Sequence, residues 1–219
     1  MGTRKKLMAK YPQGKGRLSE RSEIDDESRL ISKKFGIEYF DGDRKYGYGG
    51  FTYQERFWKD VVDDFIKEYS LTNQSRILDI GCAKGFMLYD FTKKLGKVGI
   101  DGIDVSEYAI SNALDEVRSN LKVGNAIELP YQDKVFDLVI SINTLHNLTR
   151  DEIKIALREI DRVSKGKSFI MVDGYESLEQ KENMEKWVLT AKTVLSVSEW
   201  QILFNEVNFR GDFDFWTVS

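Results

Sequence analysis

"LDIGCAKGF", Leu78 to Phe86, runs from an apolar stretch through three small residues, Gly81, Ala83 and Gly85, and back into apolar sequence. The order reads as a short strand, a tight turn and the start of a helix. The small residues leave the backbone open to close approach by a ligand, and the unpaired N–H groups of a helix start favour an electron-rich partner. In an open α/β sheet, ligands bind outside the carboxyl ends of the strands, where the strand order reverses. A bound group is therefore expected at this turn. Its spacing is G-x-A-x-G with an acid, Asp79, two residues ahead, which differs from the G-x-G-x-x-G of dinucleotide-binding turns.

Working outward, strand-like and helix-like segments alternate. Phe57, Trp58, Val61, Val62, Phe65 and Ile66 lie on one stripe of a 3.6-residue period, which predicts a helix before the first strand, Arg76 to Ile80. Further strands are predicted at 98–105, 121–123, 135–142 and 168–173, and helices at 86–95, 106–117 and 152–163. Such alternation points to parallel βαβ units, a mostly parallel sheet covered by helices on both faces. Near the C-terminus, Ser196 and Glu199 have the spacing of a capping box ahead of a helix reaching Val207, and Phe213, Phe215 and Thr217 alternate with polar residues. The expectation there is a helix and then an antiparallel final strand. Residues 187–195 fit helix or strand equally well.

The chain has 219 residues, 41% hydrophobic and 12% aromatic, enough for one sizeable core with an appendage. A net charge of -3 argues against nucleic-acid binding through the overall field. The single Cys82 excludes an internal disulfide and fits a reducing compartment. No segment approaches the ~20 apolar residues of a membrane span, so a cytoplasmic protein with no membrane partner is expected. Residues 1–17 carry six Lys or Arg and no acid and read as a solvated tail. The predicted division is a basic tail with a Gly/Tyr-rich cap segment over 1–56 and a catalytic domain over 57–219.

The glycine turn with its preceding acid resembles the first motif of the class I S-adenosylmethionine-dependent methyltransferases. "GIDVSEYAI", Gly102 to Ile110, is similar to the second motif of that family. "VGNAIELPY", Val123 to Tyr131, is similar to the stretch that packs against adenine, and "FDLVISINTLHNL", Phe136 to Leu148, to the fourth strand and its exit. The resemblance covers residues 76–174 in the family's order. It implies a Rossmann-like fold, S-adenosylmethionine as cofactor, and cofactor contacts from Asp79, Gly81, Cys82, Ala83, Gly85, Asp104, Val105, Asn125, Ala126, Ile127 and Asn143. Asp104 would take the ribose hydroxyls. Asp79 would contact the cofactor or hydrogen-bond the glycine turn, and Asp137 would fix the entrance to the fourth strand. Two departures stand out. Ala83 replaces the usual glycine, which a negative φ would accommodate, and Asn125 replaces an acid, leaving an amide oxygen to accept from the adenine amine. Cys82 reads as a small filler of the turn.

His146, the lone histidine, follows the fourth strand and is either a general base or a packing residue. The strand ends in Ser141-Ile142-Asn143-Thr144 and lacks the Asn/Asp-Pro-Pro-aromatic signature of enzymes that methylate amines. No metal-ligand spacing is present. "DGDRKYGYGG", Asp41 to Gly50, holds four glycines and two tyrosines beside charged residues. In small-molecule members of the family, elements before the first strand and after the fifth cover the acceptor. Arg44, Lys45, Tyr46, Tyr48 and Tyr53, with His146, are the candidate acceptor contacts, and Arg44, Tyr46 and His146 the candidate catalytic residues. Cationic donors and tyrosine hydroxyls suit a small anionic or sugar-like acceptor. "EYFDGDRKYGYGG", "KWVLTAK" and "SEWQILF" resemble bacterial methyltransferases associated with surface-polysaccharide genes. Two alternatives stay open: an RNA or protein methyltransferase docking through basic residues 4–17, and a non-catalytic S-adenosylmethionine-binding module.

Overall fold

The computed structural model describes residues 2–12 and 24–218. Two short helices, α1 (Asp26–Ser32) and α2 (Ile37–Phe40), and a 3-10 turn at Arg44–Tyr46 precede α3 (Glu55–Tyr69). Then follow β1 (Arg76–Ile80), α4 (Phe86–Leu95), β2 (Gly99–Asp104), α5 (Glu107–Ser111), α6 (Asp115–Arg118), β3 (Leu121–Val123) and β4 (Leu138–Ile142). A 3-10 turn at Leu145–Asn147 leads to α7 (Arg150–Val163), β5 (Ser168–Tyr175), α8 (Leu178–Trp187), β6 (Leu195–Ser196), α9 (Val197–Glu206) and β7 (Asp212–Trp216).

The sheet order is β3-β2-β1-β4-β5, with β6 and β7 both paired to β5. The side-chain period of two splits the core between the faces. Ile77, Ile140, Phe169 and Met171 pack with Val61 and Phe65 of α3 and Phe91 of α4. Leu78, Val139, Ile170 and Val172 pack with Leu157 and Ile160 of α7 and Trp200 and Phe204 of α9. Order reverses between β1 and β4, so the crevice opens outside their carboxyl ends. Asp137 takes the structural place expected of it. Its carboxylate accepts the Arg76 N–H at 2.8 Å and pairs with Lys165, tying the foot of β4 to β1.

Three expectations are corrected. The final strand is parallel, with Phe169 opposite Asp212 through Asp173 opposite Trp216. An antiparallel β7 would need a full preceding strand to turn back from. Here β6 is two residues long, and the capped α9 carries the chain back across the sheet, so β7 starts at the same end as β5. The helix expected over 106–117 is two pieces, α5 and α6, parted where the Leu114 N–H donates to the Lys84 carbonyl at 3.3 Å. The solvated tail is docked over residues 2–12, while residues 13–17 lie outside the described residues. Lys5 N–H donates to the Phe213 carbonyl at 2.9 Å and Phe213 N–H to the Thr3 carbonyl at 3.1 Å, which covers the free edge of β7. Leu7 and Met8 are buried, and Tyr11 packs on Phe57 and Trp58. The basic residues meet acids from distant parts of the chain: Arg4 with Asp214 and Glu176, Lys5 with Asp212 and Glu68, Lys10 with Asp64.

Candidate active site

The turn after β1 is held from β2. The Ile103 carbonyl accepts the N–H groups of Gly81 at 2.7 Å and Cys82 at 3.2 Å, and Asp104 Oδ2 accepts that of Ala83 at 2.8 Å. Gly81 has φ +82, and a Cβ there would collide with the Thr144 side chain, so glycine is required on both counts. Ala83 has φ +48. The accommodation expected for its methyl, a negative φ, is therefore absent, and the alanine sits in the left-handed region at a cost of roughly 1–2 kcal/mol. Asn143, just past β4, also has positive φ (+52), which bends the chain away from the strand end and is tolerated by asparagine.

A cleft of about 670 Å³ lies over this turn. Asp79, Gly81, Cys82, Ala83, Asn143, Arg44, Tyr48 and His146 line it, joining predicted cofactor and acceptor residues in one space. Gly85, φ +77, takes the N-cap position of α4 beside it. Asp104, Val105, Asn125, Ala126 and Ile127 stand at the carboxyl ends of β2 and β3, outside the lining of this cleft. Asp104 uses Oδ2 for the Ala83 N–H and Oδ1 for the Ser106 N–H at 2.8 Å and also takes the Val105 N–H, which leaves one lone pair for a hydroxyl donor. Val105 is exposed and Ile127 half-buried, apolar surface on which a flat ring can lie. The Asn125 amide oxygen accepts the Ile127 N–H at 3.2 Å, so it shapes its own turn.

Asp79 is 6% exposed, and among the described residues no donor reaches its carboxyl. The alternative in which it hydrogen-bonds the glycine turn is thereby set aside, since Ile103 and Asp104 fill that role. Burial, and next the neighbouring Asp104 carboxylate, push its pKa up to about 7. A buried carboxyl without a partner at a ligand cleft fits the ammonium of an amino-acid ligand, as a methionine end would supply. Burial likewise pushes the Cys82 thiol up, against a nucleophilic role.

Three acceptor candidates are displaced. Lys45 and Tyr46 lie outside the lining, with the Lys45 ammonium over the Tyr46 ring at 4.7 Å. Tyr53 donates its hydroxyl to Asp90 at 2.6 Å, and burial, reinforced by that bond, pushes its pKa up to about 12. The chain alternates direction at 52–54, so Thr52 and Gln54 face the cleft where Tyr53 does not.

Other residues were missed. Asp41 Oδ2 accepts from the Lys84 ammonium at 2.6 Å and from the Tyr108 hydroxyl at 2.6 Å, while Oδ1 accepts the Phe51 N–H at 2.8 Å. Lys84, 6% exposed and within the glycine turn, also donates to the Phe51 carbonyl at 3.0 Å. An aromatic series, Tyr48 on Phe51 at 4.2 Å and Phe51 on Phe86 at 4.8 Å, fastens the same segment to the start of α4. Arg29 reaches the carbonyls of Lys186 and Val188, joining the cap segment to the C-terminal end of α8. No local pattern signals the Asp41–Lys84 pair, because its members are 43 positions apart.

Asp173, near the end of β5, also lines the cleft. Its N–H donates to His146 Nδ1 at 3.2 Å, and its Oδ2 lies 3.5 Å from the same nitrogen. An acid closing an apolar strand at the carboxyl edge, as Asp79 and Asp104 also do, was the signal available in the sequence.

A family model described as "Methyltransferase domain" matches residues 71–210. An uncharacterized protein of Haemophilus influenzae is 27% identical over 164 residues, 69% of this chain and 65% of that protein. The ribosomal protein L11 methyltransferase of Thermotoga neapolitana is 32% identical over 123 residues, 55% of this chain and 43% of its own length. The match thus spans less than two thirds of either relative. A crystal structure of a SAM-dependent methyltransferase from Aquifex aeolicus superposes with a TM-score of 0.51 at 22% identity, covering 87% of each chain.

Proposed function

We propose, from the premise that this chain belongs to the class I S-adenosylmethionine-dependent methyltransferases, that it methylates an oxygen of a small anionic or sugar-like metabolite. The observation that supports the acceptor class is that two arginines, Arg44 and Arg56, line the cleft that also holds the glycine turn, Arg44 donating to the Tyr48 carbonyl at 3.1 Å and Arg56 to Gln54 Oε1 at 3.0 Å. S-adenosylmethionine, when bound, supplies an already activated methyl group. What remains for the chain is to bind, orient and exclude water. Asp79 suits the ammonium end, Asp104 the ribose, and Val105 with Ile127 the adenine. The Asp41–Thr52 segment and residues 187–191 bound the cleft and limit access of water to the reacting atoms.

The same relative that is named for methylating a ribosomal protein raises a macromolecular acceptor as a second reading. Against it, Arg4, Lys5 and Lys10 are engaged by acids of this chain. Incubation with S-adenosylmethionine and a panel of sugar phosphates, nucleotide-linked sugars and small phosphoryl compounds is expected to release S-adenosylhomocysteine. Release with RNA or protein fractions alone would replace the small-molecule reading.

A further inference from the structure

We propose that Asp173 takes the proton of the acceptor, with His146 holding its backbone N–H, and that the accepting atom is therefore a hydroxyl oxygen and not an already ionised phosphate or carboxylate oxygen. This rests on the reading of oxygen methylation above and narrows it. The side chain of Asp173 is held at the cleft while the residue as a whole is 5% exposed. Among the described residues no N–H or O–H group donates to its carboxyl oxygens. A carboxylate in that state needs a donor, because burying it without one is costly. An anionic oxygen placed against it would be repelled, whereas a hydroxyl donates to it and can then hand over its proton.

The ring beside it is oriented the wrong way to be the base. His146 is buried, and its Nδ1 accepts the backbone N–H of Asp173, so the neutral ring carries its proton on Nε2 and is a donor there. The titratable surroundings are simple. His146 faces the carboxyl from the turn after β4, and α9 contributes Trp200, whose indole N–H goes to the Asp173 carbonyl at 2.9 Å. β7 brings Trp216 into register with Asp173. Burial pushes the Asp173 carboxyl up, with His146 opposing, in the direction that strengthens a base. In the step itself the hydroxyl proton passes to the Asp173 carboxylate and the oxygen lone pair forms the O–CH3 bond. The C–S bond breaks with its electron pair left on sulfur, giving a methyl ether, S-adenosylhomocysteine and one proton later released to water.

The test compares wild type with Asp173→Asn on the acceptor panel, with calorimetric S-adenosylmethionine affinity as the control for folding. Loss of at least about 100-fold in turnover at unchanged affinity is expected, with a product whose 13C-methyl NMR signal is that of an ether without coupling to phosphorus. Independently of turnover, in protein labelled with 13Cγ-aspartate the resonance missing from Asp173→Asn should titrate above the ordinary aspartate range. Turnover within about threefold of wild type, a methyl phosphate or methyl ester product, or an ordinary titration each overturns the assignment of Asp173. Wild type that binds S-adenosylmethionine yet methylates nothing in the panel overturns the small-acceptor reading instead, and this proposal with it.

Discussion

Asp79 holds its proton to about pH 7 because burial and the Asp104 carboxylate both disfavour its charge. Its unfolded value is near 3.9, so between about pH 4 and 7 the folded, unliganded protein retains a proton that the unfolded chain has released. Its contribution to stability is fully present below pH 4 and is lost as the pH rises through 7. An ammonium ligand prefers the ionised form, so the ligand effect has the opposite slope. S-adenosylmethionine affinity measured by calorimetry should fall about fivefold between pH 7 and pH 6. Asp79→Asn should bind weakly and with no such slope. A wild-type affinity flat across this range would remove Asp79 from the ammonium site.

Between residue and fold, the Asp41–Thr52 segment behaves as an element although it has almost no regular structure. Its attachment is Asp41, which gathers Lys84, Tyr108 and the Phe51 N–H. Burial opposes ionisation of Asp41, but the bonds from Lys84, Tyr108 and Phe51 outweigh it and hold its pKa below the usual range. Asp41→Ala leaves the Lys84 charge buried without its partner, at a cost of about 2–3 kcal/mol. Hydrogen exchange in residues 41–52 should accelerate, and the urea midpoint should drop. The glycines and tyrosines of this segment were legible as a cap because a plain linker does not concentrate them. Which tyrosines face the ligand was not. Tyr48 faces the cleft and Tyr53 faces Asp90 because of the local chain direction, which composition does not encode. By contrast, β1, β4 and β5 were readable, since each is mainly an apolar run, and α4 and α7 keep their period.

At the scale of the whole molecule, strand direction and the docked N-terminal strip escaped the sequence for one reason: both depend on partners roughly 200 positions away or on the path of a crossover. The basic residues near the N-terminus looked solvent-bound because the acids they meet, Asp212 and Asp214, lie at the other end of the chain. The strip also contributes to the core. Leu7 and Met8 join the cluster that includes Phe65 and Phe169, and Met8 lines the cleft as well. Leu7→Ala, remote from the ligand groups, should destabilise by about 2–4 kcal/mol in urea titration. A loss under about 0.5 kcal/mol would mean that the strip is a loose attachment. The same placement explains why a chain with a net charge of -3 concentrates its bases there. They neutralise an acidic sheet edge, while Arg44 and Arg56 are among the residues that line the cleft.

The distribution of tryptophans has a practical consequence. Of the four in the chain, Trp58, Trp187 and Trp216 line the cleft, while Trp200 is sealed in the opposite core cluster. Intrinsic fluorescence is therefore dominated by indoles that an incoming molecule would touch, against a constant background from Trp200. Unlabelled protein can report acceptor occupancy by quenching or spectral shift, without waiting for a product to form.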